Sequence, residues 1–291
     1  MTISGKTQLY AVIGDPIEHT LSPAIQNAAF QALNIDALFV AFKVATTQVE
    51  HAIQGMRSLG IRGLNVTMPN KNTVIPYLDE IDETAKLLDS VNTIQNENGK
   101  LRGFSTDGAG IHRALEENKV NLSEKKLVLL GAGGAARAIA LALAREAKEL
   151  VILSRTPEKN NELAEILTKK FQTKVTTATL SQTNITQNLN DADVLINATS
   201  AGMHPNEKQT LVEPAWFKPN LTVMDIIYNP LETRLTKDAK AAGARVISGV
   251  EMLIHQGAAS FEIWTGKAAP IEVMRKAALN QLKTQAKKHD D

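Results

Sequence analysis

KLVLLGAGGAARAIALALAREAKELVILSRTPEK, residues Lys126 to Lys159, reads as strand, glycine-rich turn, helix, second strand and basic tip. LVLL (Leu127 to Leu130) has no polar residue, as a strand buried on both faces of a parallel sheet requires. AARAIALALARE (Ala135 to Glu146) is rich in Ala, Leu and Arg, all strong helix formers. Between them Gly131, Gly133 and Ala136 stand in G-x-G-x-x-A spacing. Each has a physical task in such a turn. The first glycine permits the tight bend, the second lets backbone approach a pyrophosphate, and the small alanine lets the helix close onto the strand. The helix N-terminus is then left facing the phosphates. Strand, turn and helix in this order predict one half of a dinucleotide-binding fold.

The tip of the following strand bears on which dinucleotide. A unit that binds NAD usually presents Asp or Glu there, to accept hydrogen bonds from the adenosine ribose hydroxyls. Here the strand ends in Ser154, Arg155 and Thr156, with Lys159 one helical turn on. A guanidinium fork and an ammonium match a 2′-phosphate and offer nothing to a bare diol, so NADP is expected over NAD. Glu158 is the one residue that argues against it, unless it serves only the helix dipole.

Working outward, the chain of 291 residues exceeds the usual single domain and predicts two. Lys plus Arg number 32 against 31 Asp plus Glu, so the net charge of +1 provides no field to hold nucleic acid or an anionic membrane. No apolar run is long enough to span a bilayer, and MTISGKTQLY is not a secretory signal. With 0 Cys there are no disulfides, thiolate metal sites or thiol nucleophile, which fits a cytoplasmic protein. The six His (19, 51, 112, 204, 255 and 289) show no paired ligand spacing, so no metal is expected. Monomer and homodimer both remain open.

Ahead of the dinucleotide unit, Leu9 to Asp15, Ala37 to Val44 and Gly63 to Thr67 read as buried strands, separated by helical patterns over Ala24 to Leu33 and Val49 to Leu59. This alternation predicts a mainly parallel sheet with crossover helices. An Asn98-Gly99 turn predicts a hairpin of Val91 to Gln95 with Lys100 to Phe104. A helix from Ala109 to Asn118 leads into the second sheet. That sheet continues through VILS, KVTTA, DVLINA, TVMDII and ARVIS. The end of the chain reads as two helices, Met252 to Trp264 and Ile271 to Gln285, expected to pack back on the first domain. The fold class is therefore α/β, with two α/β domains.

A nicotinamide enzyme needs a proton donor and acceptor beside the carbon that exchanges hydride, because the carbonyl oxygen gains negative charge as hydride arrives. NVTMPNK ends the third strand, where open parallel sheets bind ligands, and supplies Lys71; STDG supplies a carboxylate, Asp107, where the chain enters the second domain. Thr20 and Ser22, in GDPIEHTLSP, lie just ahead of a helix. They suit either capping or, with the free N–H groups, reception of a carboxylate.

The ordered set GDPIEHTLSP, NVTMPNK, VNTI, STDG, GAGGAA, SRT, NATSAGM, DIIYNP and GVEMLIHQGAASFEIWTGK resembles the bacterial shikimate dehydrogenase and quinate/shikimate dehydrogenase family, from about Leu9 to about Leu282. The resemblance implies NADP-dependent, reversible reduction of 3-dehydroshikimate to shikimate, a step of aromatic amino-acid biosynthesis by the chorismate route. It also implies a substrate-binding domain of residues 1–107 with 250–291 and a Rossmann NADP-binding domain of 108–249. Carried over by position, Thr20 and Ser22 hold the substrate carboxylate, and Thr67, Asn92 and Gln256 hydrogen-bond its hydroxyls or carboxylate. Lys71 and Asp107 are the catalytic pair at the hydroxyl that is oxidised, and Tyr228 closes the cofactor side of the pocket. Gly131, Ala132, Gly133, Gly134 and Ala135, then Ser154, Arg155, Thr156 and Lys159, map to the cofactor, with Thr199, Ile226, Gly249 and Glu83 toward the nicotinamide. Three features bear on the branch. Thr20-Leu21-Ser22 replaces the usual Ser-x-Ser of strict shikimate enzymes, and Met68 and Asn70 lean to the dual quinate/shikimate branch, as does HQGAASFEIWTGK. SRT leans to the NADP-preferring one. Quinate as substrate, NAD use, and a non-catalytic NADP-binding regulatory relative are the alternatives; the last is expected to lose Lys71 or Asp107, and both are present.

Overall fold

The computed structural model describes residues 3–289, apart from the side chains of Lys159 and of 286–289. In chain order the elements are β1 (Gln8–Gly14), α1 (Ser22–Ala32), β2 (Ala37–Lys43), α2 (Val49–Ser58), β3 (Gly63–Val66), β4 (Glu80–Ile81), α3 (Glu83–Leu88), β5 (Thr93–Glu97) and β6 (Lys100–Phe104). There follow α4 (Asp107–Glu117), β7 (Lys126–Leu130), α5 (Gly134–Leu143), β8 (Glu149–Ser154), α6 (Glu158–Phe171), β9 (Lys174–Thr179), α7 (Gln182–Leu189) and β10 (Val194–Asn197). The last are β11 (Thr222–Asp225), α8 (Arg234–Ala241), β12 (Arg245–Ile247), α9 (Gly249–Thr265) and α10 (Ile271–His289). Contacts group the chain into two compact units, one running to Thr106 and resuming at Ile254, the other Asp107–Leu253.

The first unit has a six-stranded sheet in the order β2-β1-β3-β5-β6-β4. β2, β1 and β3 are parallel, β5 is antiparallel to both neighbours, and β4 adds parallel to β6. Asn98 and Gly99 both have positive φ, 54° and 93°, so the β5–β6 turn has the left-handed geometry that matches strand twist. One face buries Ala11, Ile13, Leu64 and Ile94 against Val49, Ile53 and Met56 of α2. An aromatic cluster packs Tyr10 on Phe30 (4.9 Å between centroids), Tyr10 on Trp264 (5.4 Å) and Phe30 on Phe261 (5.4 Å). Trp264 also donates from Nε1 to the Ile94 carbonyl at 3.0 Å, and α10 lies on α1, so both C-terminal helices pack on this sheet's unit.

The second unit has six parallel strands in the order β12-β11-β10-β7-β8-β9. Strand order reverses direction at β7 and β10, which makes the gap above their carboxyl ends the switch point of a doubly wound sheet. Buried Val128, Leu130, Val151, Leu153, Leu195 and Val223 fill the core that sets the β7 end in place. Ala136, Ala138 and Ala140 are buried in α5, so small side chains bring that helix close to the sheet.

Element ends differ from the sequence expectation in identifiable places. β5 begins at Thr93 instead of Val91, because the Val91 N–H is given to the Lys71 carbonyl (2.9 Å) outside the ladder. α5 stops at Leu143, whose carbonyl accepts from both Glu146 and Ala147 (3.0 Å each) and closes the last turn short of Glu146. α4 starts at Asp107, two residues early, with its carboxylate in the first turn where the helix dipole favours it. Among the described residues no helix is long and apolar enough to cross a membrane.

Candidate active site

In the first unit the loops after β1 and β3 are fastened to each other. Asp15 N–H bonds the Met68 carbonyl (3.0 Å), and Thr67 N–H bonds the Ile13 carbonyl (2.9 Å). On the β1 side, Thr20 Oγ1 donates to Ser22 Oγ (3.2 Å) and accepts from Ser22 N–H (3.3 Å). The capping role open to Ser22 is not used: Leu21 is the N-cap of α1, with no side-chain cap, and Ser22 is already the first helical residue. The two hydroxyls thus stand beside a helix start whose N-cap residue, Leu21, supplies no side-chain cap and whose first N–H, that of Ser22, is taken by Thr20.

On the β3 side, Asn70 is completely buried and donates to the Val44 carbonyl (2.8 Å), while its own N–H and carbonyl bond Thr67 O (3.0 Å) and Val74 N (3.1 Å). This makes Asn70 a loop anchor, and it carries the next residue, the half-buried Lys71, in a fixed turn. The Lys71 carbonyl is held by Val91 N–H. Asn92, the following residue, receives Thr106 N–H on Oδ1 (2.8 Å) and donates from Nδ2 to Thr106 Oγ1 (3.0 Å) and Gln256 Oε1 (3.4 Å). Thr106 directly precedes Asp107, so the backbone that carries Lys71 and the residue before Asp107 are tied through Val91 and Asn92. Because β5 runs antiparallel, its start lies at the carboxyl end of β3, which is why Asn92 joins Thr67 and Lys71.

Beneath these groups lies a buried polar cluster that sequence reasoning missed. Asn65 Nδ2 reaches the Asn92 carbonyl (3.1 Å), Thr93 Oγ1 (3.2 Å) and Ser260 Oγ (3.1 Å). Ser260 Oγ lies 2.7 Å from Thr93 Oγ1 and 3.1 Å from the Gln256 carbonyl one turn earlier in α9. Polar residues inside otherwise apolar strand and helix patterns were the available signal, since burial is tolerated only with partners.

Glu83 stands apart from this group. It is exposed in the first turn of α3, behind the edge strand β4, whose Glu80 and Ile81 pair with Arg102 and Gly103.

In the second unit Gly131 ends β7 with φ 124°, and a Cβ built on it would sit 2.8 Å from the Ala198 carbonyl; no other residue fits that turn. Ala132 follows in the turn, and Gly133 is the N-cap of α5 with extended backbone and no side-chain cap. Gly134 and Ala135 form the first turn, so their N–H groups point outward from an uncapped helix start. At the β8 tip, Arg155 and Thr156 are exposed. Ser154 is buried, and its Oγ accepts from Asn160 Nδ2 (2.9 Å), which fixes the turn into α6. The side chain of Lys159 lies outside the described set.

At the ends of β10 and β11, Asn197 Oδ1 accepts from the N–H (3.1 Å) and hydroxyl (2.7 Å) of half-buried Thr199. Asn197 Nδ2 donates to Asp225 Oδ1 (3.0 Å). Asp225, 0 % exposed, also accepts from Ile227 N–H (3.1 Å) and Thr233 Oγ1 (2.7 Å). Desolvation pushes its pKa up to about 6, against the pull of these bonds. Ile226 and Tyr228 follow on the same turn, both half-buried, and desolvation raises the Tyr228 phenol above its ordinary value. Gly249 closes the turn from behind, since a Cβ there would meet the Asp225 and Ile227 carbonyls at 2.6 and 2.5 Å.

Parallel doubly wound strands, a glycine turn at the switch point and a basic strand tip, together with a unit that gathers hydroxyls and amides, define a dinucleotide-dependent oxidoreductase of small polar substrates. The family comparisons specify which. The shikimate dehydrogenase substrate-binding domain matches residues 12–94, shikimate/quinate 5-dehydrogenase residues 113–230, and the shikimate 5'-dehydrogenase C-terminal domain residues 249–279. A shikimate dehydrogenase (NADP(+)) of Methanopyrus kandleri is 46% identical over 286 residues, 97% of this chain and 99% of its own. A crystal structure of a shikimate dehydrogenase in complex with NADP+ matches with TM-score 0.90 and 42% identity, covering 97% of this chain and 98% of that one. Another, from Thermus thermophilus in complex with NADP(H) and shikimate, gives TM-score 0.83 and 32% identity over 94% and 99% of the two chains. The chain belongs to the shikimate dehydrogenase family.

Proposed function

We propose that the protein is an NADP-dependent shikimate dehydrogenase that interconverts 3-dehydroshikimate and shikimate. The observation that carries this reading is the joining of Thr20, Ser22, Thr67, Lys71, Asn92 and Gln256 through the carboxyl ends of β1 and β3 in one unit of a chain whose other unit has the dinucleotide turn.

The dinucleotide fits the residues present. The turn from Gly131 through Ala132 and Gly133 and the uncapped first N–H groups of α5, Gly134 and Ala135, suit a pyrophosphate, and exposed Arg155 with Thr156 suits a 2′-phosphate. Lys159 adds charge at the start of α6, and Ser154 shapes the tip by its bond to Asn160. Thr199, Ile226 and Gly249 serve the nicotinamide half; the exposed position of Glu83 in the first turn of α3 does not support the cofactor contact the resemblance implies. When bound, the cofactor supplies hydride in one direction and accepts it in the other.

The chain's own residues manage the substrate and its proton. Thr20 and Ser22 bind the carboxylate, Thr67, Asn92 and Gln256 bind ring hydroxyls, and Tyr228 bounds the pocket. Lys71 as ammonium donates its proton to the ketone oxygen during reduction, and as neutral amine removes it during oxidation. Asp107 orients the amine. A site made of hydroxyl and amide partners rejects analogues that lack the matching hydroxyl, because its polar groups are then left unpaired. Buried Asn70 donates to the Val44 carbonyl and anchors the loop that carries Lys71. The Cys-free, charge-balanced chain fits a cytoplasmic monomer or homodimer without nucleic-acid or membrane partners.

Steady-state rates with shikimate and quinate, each with NADP and NAD, test the proposal. Highest kcat/KM is expected for shikimate with NADP, and Arg155→Ala should raise KM for NADP far more than for NAD. No turnover of shikimate with either cofactor contradicts the function, and equal KM changes contradict the 2′-phosphate assignment.

A further inference from the structure

Among the described residues Asp225 is the one carboxylate set fully inside the second sheet at the end of a strand, in the sequence TVMD whose other inward positions are apolar. For packing alone an apolar side chain would serve better, since a buried charge must recover its desolvation through hydrogen bonds. The bonds it makes lead to one place. Oδ1 receives Asn197 Nδ2 and the Ile227 N–H, and Oδ2 receives the Thr233 hydroxyl, itself the N-cap of α8. Asn197, oriented by that carboxylate, presents Oδ1 to both the N–H and the hydroxyl of Thr199, and Thr199 Oγ1 in turn accepts the Ala201 N–H (3.2 Å). Ala198, between them, bonds the Leu130 carbonyl through its N–H (2.8 Å) and offers its own carbonyl against Gly131. The network therefore lies directly behind the glycine turn, at the switch point, and fixes the loops after both β10 and β11.

We propose that Asp225 is a positioning residue for the dinucleotide, setting Thr199 through Asn197 and the Ile226–Tyr228 turn through its own bonds. The inference rests on the NADP-dependent reading above. It assigns to Asp225, Asn197 and Thr233 a role in cofactor affinity, with no contact to substrate or reacting atoms.

The test uses the full-length protein and three readouts: KM for NADP and for shikimate, the Kd for NADP+ by calorimetry, and amide hydrogen exchange of the ligand-free protein. Asp225→Asn turns one acceptor oxygen into a donor facing donors. It should raise Kd and KM for NADP about tenfold or more while KM for shikimate stays within about twofold, and speed exchange in the segments after Asn197 and Asp225. Combining it with Asn197→Asp restores the donor–acceptor contact across the pair, though not the Ile227 bond, and should recover part of the affinity. A role in stability alone would lower the folded fraction without separating the two KM values, and the exchanged pair would not restore NADP affinity. If Asp225→Asn does not fold, Thr233→Val, which removes one donor from the same carboxylate, should raise Kd for NADP+ several-fold. Folded variants with parental Kd for NADP+ overturn the inference. Failure of the parent protein to bind NADP+ at all would instead overturn the functional reading on which it rests.

Discussion

Arg155 and Asp225 show how differently a charge behaves at a strand end. Arg155 is exposed and keeps its charge at little cost, so its value depends on what it meets in solution. Asp225 is wholly buried, and desolvation outweighs three hydrogen bonds to leave its pKa near 6, above the ordinary 3.8. A raised carboxyl pKa means the folded state binds a proton more readily than the unfolded chain in the window between those values. Its contribution therefore stabilises the folded protein as pH falls through about 6 and is lost as pH rises through it. Urea unfolding of the parent and Asp225→Asn at pH 7 and pH 4.5 measures this. The stability difference should move in the parent's favour by about 2 kcal/mol at the lower pH. A difference that does not change with pH would show that Asp225 is not titrating in the folded state.

At the scale of elements, α9 connects packing to the site: Gln256 and Ser260 face the polar cluster while Phe261, one residue on, packs its ring 5.4 Å from Phe30. Phe261→Ala should cost about 3–5 kcal/mol, read by chemical denaturation, because a fully buried ring leaves a cavity that the sheet cannot close. A loss under about 1 kcal/mol would mean that α9 is not held by this cluster. The long periodic elements were legible in the sequence, and so was the glycine turn. β4, with two residues, and α3, with six, were not, because neither is long enough to show a period. α3, α7 and α8 do have readable caps in Asp82, Ser181 and Thr233, each accepting an N–H three residues on. Their apolar faces are short, and a cap residue alone does not mark a helix.

For the whole molecule, residues far apart in sequence share tasks: Lys71 with Val91, Asn92 with Thr106 and Gln256. Motif order pointed to these residues, but the bonds that join them could not be read from one chain. Asn70 shows the limit most clearly. As a letter it suggested a specificity branch, whereas in the fold it pins the Lys71 loop to Val44. The polar cluster around Asn65, Thr93 and Ser260, and the Asp225 network, were missed for a similar reason: a polar letter inside an apolar pattern signals burial but does not name its partners. We propose that one amine, Lys71, carries the proton of the reaction. The most direct measurement is kcat and KM for shikimate oxidation by Lys71→Ala with saturating NADP. kcat is expected to fall by about 100- to 10,000-fold with KM for shikimate within a few-fold of the parent. Turnover close to the parent's would contradict it.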